Sequence, residues 1–304
     1  MNPFSEEDKL LLSKKGITPE KAAQQIETFR EGIPYVALSK AAVVGDGIIQ
    51  LSQEQQQHLR KHYKEQGSDL RALKFIPASG AASRMFKDLF GFLQSFKPGE
   101  TPLDEFLSRP DQKALKTFYE GLERFPFFDE ISRSLPKMGY SPGEMLYSFV
   151  SEMLTERGKN YGFYPKGLLP FHRYGNQTAT PFVEHLKEGV AYGKSGTVSH
   201  LHFTISPQHR DLFRKEENSF APVIAAAAGC DFNITYSYQK QSTDTLAVTP
   251  ENEPFRDGSG QLLFRPGGHG ALLENLNEQD ADLLFIKNID NVVPDRSLEE
   301  IAAW

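Results

Sequence analysis

Residues 75–87 read FIPASGAASRMFK, in which four small residues separate an apolar run from Ser83, Arg84 and Met85. The apolar run at 73–78 predicts a short β-strand, and the helical spacing of MFKDLFGFL at 85–93 predicts a helix after the loop. In such a strand, loop and helix, the free N–H groups of the helix's first turn and the helix dipole favour an anion in the loop. The stretch therefore predicts an α/β fold with an anion site where a strand ends.

Two interpretations of this loop remain open. In one, Gly80 serves a tight turn and Arg84 lies in solvent. In the other, the small side chains let a phosphate approach the backbone, and Arg84 supplies a permanent charge with a planar set of donors suited to phosphate oxygens. The stretch is neither a Walker A motif nor a G-x-G-x-x-G fingerprint, so the common nucleotide-binding patterns do not decide between them.

The later part of the chain alternates between strand and helix patterns. VSHLHFTIS at 198–206, DFNITYSYQ at 231–239 and DLLFIKNID at 282–290 have the composition of strands, whereas Thr180 and Pro181 are typical of a helix start. Such alternation implies a mainly parallel sheet covered by helices on both faces. Ligands of such sheets bind at the carboxyl ends of the strands.

The chain organisation predicts two parts. Residues 1–70 form an N-terminal helical region, in which Thr18 followed by Pro19 is a favourable helix start. Residues 71–304 form the core, and they carry a largely helical insertion at about 97–160. We expect the chemistry to lie in the core, with the N-terminal region as an appendage.

Composition excludes several classes of protein. The 304 residues carry a net charge of -6, which argues against a nucleic-acid surface, because phosphate-backbone binding needs clustered Lys and Arg. A single cysteine, Cys230, forms no internal disulfide and no thiolate zinc site. The sequence has no apolar run of about 18 residues, and its N-terminus carries acids where an export signal carries bases. We therefore expect a cytoplasmic protein without a membrane partner.

Several short motifs occur in an order that resembles the sugar nucleotidyltransferases. ASGAASRM at 78–85 is similar to their first loop, LAGGxGTRM, and PKGLLPF at 165–171 is similar to their PKPLLPV. HFTIS at 202–206 and YSYQ at 236–239 resemble strand ends of the UDP-sugar pyrophosphorylase branch. The shared order of the motifs carries the resemblance.

Two further landmarks complete it. FRPGGHG at 264–270 resembles the PxGNGG or PxGHG turn of that branch, and IKNIDNV at 286–292 resembles its strand ending in an Asp-Asn pair. The motifs occur in the same order as in the nucleotide-diphospho-sugar transferase superfamily. This resemblance covers roughly residues 72–294. In the residues of these motifs, the sequence most resembles a bacterial family, the domain of unknown function 4301.

The resemblance implies a fold and a reaction. The implied fold is a three-layer α/β/α, Rossmann-like and GT-A-like arrangement around a mainly parallel sheet. The implied activity is Mg²⁺-dependent: a sugar 1-phosphate attacks the α-phosphate of a nucleoside triphosphate, pyrophosphate leaves, and a sugar nucleotide forms. Such a transfer needs positioning and charge neutralisation more than a nucleophilic side chain.

The resemblance also assigns roles to residues. The catalytic residues would be Arg84 at the leaving pyrophosphate, Lys166 between the substrate phosphates, and Asp290, which would also hold Mg²⁺. The nucleotide-binding residues would be Ser79, Gly80, Ala81, Ala82, Ser83, Gln239, Gly267, Gly268, His269 and Gly270.

Ordinary structural roles stay open for several of these residues. Lys166 between Pro165 and Gly167 suits a surface loop, and Asp290 suits a turn. The GGHG turn suits a helix start, and Gln239 suits a strand-end cap. His200 and His202 lie on one face of a strand, but no HxHxDH or HExxH motif follows, so we expect neither to bind a metal.

The sequence departs from the superfamily pattern in two places. Ser79 and Ala82 stand where the superfamily loop has glycine, and the chain ends at Trp304, soon after the Asp-Asn pair. These departures favour an alternative, a non-catalytic module or a fragment of a longer protein, which binds a nucleotide or a sugar nucleotide. A glycosyltransferase on the same fold is a further alternative.

Overall fold

The computed structural model describes residues 4–80, 82–136 and 139–304, with the backbone but not the side chain of His269. The helices are α1 Glu6–Lys15, α2 Pro19–Glu31, α3 Gln53–Gln66, α4 Lys87–Ser95, α5 Leu103–Leu107, α6 Lys113–Glu120, α7 Phe128–Ser134, α8 Pro142–Leu154, α9 Pro181–Tyr192, α10 Arg210–Ala228, α11 Leu273–Asn277 and α12 Leu298–Ala302. The strands are β1 Val43–Val44, β2 Gly47–Ile48, β3 Ala72–Pro77, β4 His172–Tyr174, β5 Gln177–Ala179, β6 Lys194–Ser195, β7 Val198–Ile205, β8 Asp231–Tyr238, β9 Thr245–Leu246, β10 Phe264–Arg265 and β11 Leu283–Ile286.

The chain divides into two compact units that are interleaved along the sequence. The first, called the N-terminal unit, contains Met1–Arg71 and Ser237–Asp282. The second, called the sheet unit, contains Ala72–Tyr236 and Leu283–Trp304.

The sheet unit is built on a mixed sheet with the order β11-β3-β7-β6, and β8 also pairs with β7. β11, β3 and β7 are parallel, with Phe285 opposite Lys74 and Phe75 opposite His202. The short strand β6 forms an antiparallel pair with β7, which makes the sheet mixed. The structure therefore confirms a mixed α/β fold.

The central strand, β3, explains why this sheet forms. Its first five residues are all buried, as expected for a strand with neighbours on both edges and helices over its faces. Phe75 and Ile76 are almost fully buried, and Lys74 is the one charged residue in the strand. The strand was correctly predicted from the apolar run at 73–78.

Helices α4–α8 share one apolar core in the sheet unit. Aromatic rings dominate it: Phe92 packs against Phe96 and Phe106, and Phe149 stacks on Phe128. Helix α8 begins with a capping box, in which the Ser141 hydroxyl accepts the Glu144 N–H and the Glu144 carboxylate accepts the Ser141 N–H. This core holds the helical segment together beside the sheet.

The N-terminal unit has a smaller core of its own. Leu12 of α1 and Ile26 of α2 pack with Leu246 of β9 and with Leu262. The predicted helix start is confirmed, because the Thr18 side chain accepts the N–H of Lys21 at the start of α2. In the described residues, no helix is long and apolar enough to span a membrane.

Candidate functional site

The loops that follow the three parallel strands meet at one edge of the sheet. The N–H of Ala78, after β3, donates to the carbonyl of Thr204 in β7 at 2.8 Å. The N–H of Ile289, after β11, donates to the carbonyl of Pro77 at 3.1 Å. The Ser206 hydroxyl, after β7, donates to the carbonyl of Ser79 at 3.1 Å. This is the edge at which parallel sheets bind ligands.

The segment that follows α8 is hydrogen-bonded to the loop after β3. The N–H of Lys166 donates to the carbonyl of Gly80 at 3.1 Å, and the N–H of Ala82 donates to the carbonyl of Tyr164 at 3.0 Å. Lys166 therefore lies beside the small-residue loop, although 86 positions separate Lys166 from Gly80 in the sequence.

Lys166 also contacts Asp290. Its Nζ lies 2.8 Å from Oδ2 of Asp290, and the two side chains are 30% and 36% exposed. Gly167 makes this approach possible, because a Cβ at that position would lie 2.8 Å from Cγ1 of Ile289. Gly80, Lys166 and Asp290, which the sequence predicted to be functional, are thus brought together in one place.

The loop differs in detail from the predicted cradle. Ala82, Ser83 and Arg84 form a 3₁₀ turn, and α4 begins only at Lys87, so the first turn of that helix lies beyond the loop. Among the described residues, the N–H groups of Ser79 and Gly80 have no hydrogen-bond partner. These two open donors belong to the loop itself, ahead of the first turn of α4.

The remaining predicted loop residues have different surroundings. Ala82 is fully buried, whereas Ser83 and Arg84 are exposed. Arg84 makes no ion pair with any residue that the structure describes. Ala81 lies outside the described residues.

The other predicted nucleotide-binding residues belong to the N-terminal unit. The Gln239 side-chain amide donates to the carbonyl of Gly267 at 3.1 Å, so the strand end and the GGHG turn are in contact. A Cβ on Gly267 would lie 2.8 Å from the carbonyl oxygen of Thr243, which explains why glycine is needed there. Gly268 precedes a 3₁₀ turn that begins at His269 and includes Gly270.

The side chains of β3, α9 and the residue after β11 form a buried cluster of charged groups. The sequence analysis did not predict this cluster. Lys74 is 0% exposed and its Nζ lies 2.8 Å from Oε2 of Glu188, which is 1% exposed. Glu188 also accepts hydrogen bonds from Lys287 at 2.8 Å and from the Tyr192 hydroxyl at 2.7 Å. A carboxylate with three donors of this kind is well satisfied despite its burial.

The environment shifts the pKa values of this cluster. Burial lowers the pKa of Lys74 from 10.5 to about 7, although the nearby Glu188 carboxylate opposes the shift. For Glu188, burial works against ionisation, but Lys74, Lys287 and Tyr192 outweigh it and lower the pKa. Burial also lowers the pKa of His185, so this imidazole is neutral.

Two residues of α9 connect this cluster to the turn that carries Asp290. Nε2 of His185 lies 3.2 Å from the carbonyl oxygens of both Asn288 and Ile289. Oε1 of Glu188 accepts the N–H of Val293 at 3.2 Å. His185 and Glu188 therefore hold the backbone on both sides of Asp290.

The sequence did contain signals for this cluster. Lys74 interrupts an otherwise apolar strand, and a long cation in such a position needs a buried partner. On α9, the segment EHLKE at 184–188 places Glu184 and Glu188 four residues apart, on one face of the helix. Both carboxylates are almost fully buried.

Asp290 is the acidic group of the candidate site. The described residues contain no group of three or more His, Cys, Asp or Glu side chains arranged to hold a metal ion. His200 and His202 instead face polar side chains of β8, with Nδ1 of His202 2.8 Å from the Thr235 hydroxyl. A single carboxylate can hold Mg²⁺ only together with waters and further oxygen ligands, such as those of a substrate.

Comparisons with curated proteins and with solved structures found no match for this chain. The family models gave one finding. Residues 5–304 match the family described as "Domain of unknown function (DUF4301)", and the chain therefore belongs to that family.

Proposed function

We propose that this protein is a Mg²⁺-dependent nucleotidyltransferase, which joins a nucleoside triphosphate to a phosphorylated acceptor of the sugar 1-phosphate type. The supporting observation is the meeting of Gly80, Lys166 and Asp290 at the carboxyl edge of the parallel strands. Open backbone donors, two cations and one carboxylate are the groups that such a transfer needs. The proposal places the protein in the cytoplasm, with neither nucleic acid nor a membrane as a partner.

Each residue of the site has a role in this proposal. The N–H groups of Ser79 and Gly80 hold the triphosphate, and Arg84 offsets charge on the leaving pyrophosphate. Lys166 contacts the phosphate that is attacked. In the free protein, Lys166 and Asp290 pair with each other, which keeps both charged groups in place before a substrate arrives.

Asp290 would hold Mg²⁺ together with the substrate phosphates, and the ion would supply positive charge that stabilises the phosphates during transfer. His185 and Glu188 act through the backbone, because they fix the turn that presents the Asp290 carboxylate.

The proposal extends to the fold, for which a three-layer α/β/α arrangement of the GT-A type is the expected frame. Gln239, Gly267, Gly268, His269 and Gly270 of the N-terminal unit stay candidates for contacting a base or a ribose. Glycines let a ring approach the backbone, and a glutamine amide can hydrogen-bond to a base.

A second candidate function is binding of a nucleotide or sugar nucleotide without turnover. It is favoured by Ala82, whose N–H is already bonded to the carbonyl of Tyr164, so fewer loop donors are open than in a glycine-rich cradle. In this case the site would bind phosphates through Ser79, Gly80 and Lys166 but release no pyrophosphate. A glycosyltransferase would differ again, because it would consume a sugar nucleotide and not a triphosphate.

The first experiment is thermal unfolding with UTP, GTP, CTP or ATP, each in the presence of Mg²⁺ or EDTA. A ligand that binds only the folded state at a hundredfold excess over Kd stabilises it by about 2.7 kcal/mol, which shifts Tm by several degrees. We expect one triphosphate to do so with Mg²⁺, and the shift to be lost in Lys166→Met and Asp290→Asn. Lys187→Met is the control, because it removes another partly exposed lysine, which pairs with Asp295 and with Glu184.

Pyrophosphate release then separates the candidates. Release on addition of a sugar 1-phosphate supports the transferase, and a thermal shift without release supports the binding module. If no triphosphate raises Tm, or if Lys166→Met and Lys187→Met behave alike, the proposed site is wrong.

A further inference from the structure

The sheet unit contains an apolar cavity of about 370 Å³. It is lined by Met85, Phe86, Asp88, Leu89, Ala114, Leu115, Phe118, Phe125, Pro126, Phe127, Tyr161, Leu169, Pro170 and Phe171. This volume lies within the range of small-molecule sites, and a cavity of roughly 150 Å³ is enough for one benzene ring. The cavity therefore has room for roughly two groups of that size.

The residues that line the cavity favour an apolar ligand group. Of the described residues that line the cavity, Asp88 alone is charged, and it is exposed at the start of α4. The Tyr161 hydroxyl is already used, because it donates to Glu130 at 2.8 Å. A charged group inside this cavity would lose its hydration without gaining a partner, so it has to remain outside.

The cavity lies next to the chain segments that carry the cations of the candidate site. Arg84 directly precedes the lining residue Met85, and Lys166 is three positions before the lining residue Leu169. Consecutive Cα atoms are about 3.8 Å apart. The Cα atom of Arg84 therefore lies within roughly 4 Å of that of Met85, and the Cα atom of Lys166 within roughly 11 Å of that of Leu169. The segments that carry the two cations thus continue directly into the apolar lining.

We propose that the cavity binds the apolar part of a phosphate monoester, whose phosphate lies outside against Arg84 and Lys166. This inference rests on the proposed function for the phosphate end only, and it adds a second class of phosphate ligand beside the sugar 1-phosphate. That ligand carries an alkyl or aryl group of up to roughly twelve carbons, as the cavity volume allows. The inference concerns binding and adds no chemical step.

The test is a calorimetric titration with inorganic phosphate, butyl phosphate, octyl phosphate, hexadecyl phosphate and octanol, each below its micelle concentration. Each methylene buried in the cavity strengthens binding about fourfold. We expect octyl phosphate to bind about two hundredfold more tightly than butyl phosphate, and hexadecyl phosphate to exceed octyl phosphate by no more than about the same factor, because the cavity is full at roughly twelve carbons.

Two variants separate the head-group site from the cavity. Ala114→Trp places a ring at an exposed position of the lining, and we expect it to weaken octyl phosphate at least tenfold without changing inorganic phosphate. Arg84→Gln should weaken both phosphates and leave octanol unchanged. An unchanged circular dichroism spectrum and Tm confirm that each variant is folded.

The outcomes distinguish this inference from the proposed function. Equal affinity for inorganic, butyl and octyl phosphate would overturn the cavity inference and leave the phosphate site standing. Octanol binding as tightly as octyl phosphate would overturn the phosphate site and with it both proposals. An Ala114→Trp variant that binds octyl phosphate normally would show that the hydrocarbon lies elsewhere, which also overturns the inference.

Discussion

Replacing Lys74 by methionine should change how the stability of the sheet unit depends on pH. Lys74 is fully buried and its pKa is lowered by burial from 10.5 to about 7. Below pH 7 the lysine is charged in both the folded and the unfolded states, and the full penalty of burying the charge applies. Between about pH 7 and pH 10.5 the folded protein binds fewer protons than the unfolded chain, so stability rises with pH.

The size of this effect follows from the two pKa values. Each pKa unit corresponds to about 1.4 kcal/mol, and integration from pH 7 to pH 9.5 gives a gain of about 3 kcal/mol for the native protein. Methionine has a similar length and no charge, so the Lys74→Met variant lacks this gain. Groups outside this cluster that titrate in the same range contribute equally to both proteins and cancel in the comparison.

Urea unfolding monitored by circular dichroism measures the effect. The free energy of unfolding of the native protein, relative to Lys74→Met, should rise by about 3 kcal/mol between pH 7 and pH 9.5. The control is Lys116→Met, which removes an exposed lysine paired with a glutamate on α6 and should show no such rise. A difference between native protein and Lys74→Met that stays constant with pH would refute a buried, desolvated Lys74.

Four further variants test the packing, the buried charges and the helix capping of the sheet unit. Gly167→Ala should lower stability by about 1–3 kcal/mol in urea unfolding, because its Cβ would lie 2.8 Å from a side chain of the loop after β11. Gly91→Ala, whose Cβ meets no described atom within 4 Å inside α4, should instead stabilise the protein by about 0.5–1 kcal/mol; equal effects would contradict the packing argument. Glu188→Gln should cost about 3–5 kcal/mol at pH 7, since two lysines lose their counter-charge, and a loss below about 1 kcal/mol would contradict the buried network. Ser141→Ala should cost about 1 kcal/mol through the lost cap of α8, which an unchanged urea midpoint would disprove.

Local patterns predicted the elements that position the site. The apolar run at 73–78 identified β3, and the Thr180–Pro181 start identified α9, because capping and strand composition act over a few residues. The motif order also placed Gly80, Lys166 and Asp290 in one site, and the contacts among them agree with that placement.

The features that the sequence did not predict depend on contacts between distant segments. The pairing of Glu188 with Lys74 and with Lys287 joins a helix, a strand and the residue that follows a second strand, and no local pattern specifies that three such segments meet. The 3₁₀ turn before α4 is likewise a tertiary effect, since Ala82 is held by the carbonyl of Tyr164. The grouping of Ser237–Asp282 with the N-terminal helices arises in the same way, through a small shared core.

The central claim is that the loop after β3, Lys166 and Asp290 form one phosphate-binding site, and a crystal structure of the protein with Mg²⁺ and pyrophosphate tests it most directly. We expect pyrophosphate oxygens at about 3 Å from the N–H groups of Ser79 and Gly80 and from Nζ of Lys166. Pyrophosphate bound elsewhere on the protein, with the contact between Lys166 and Asp290 unchanged, would contradict the claim.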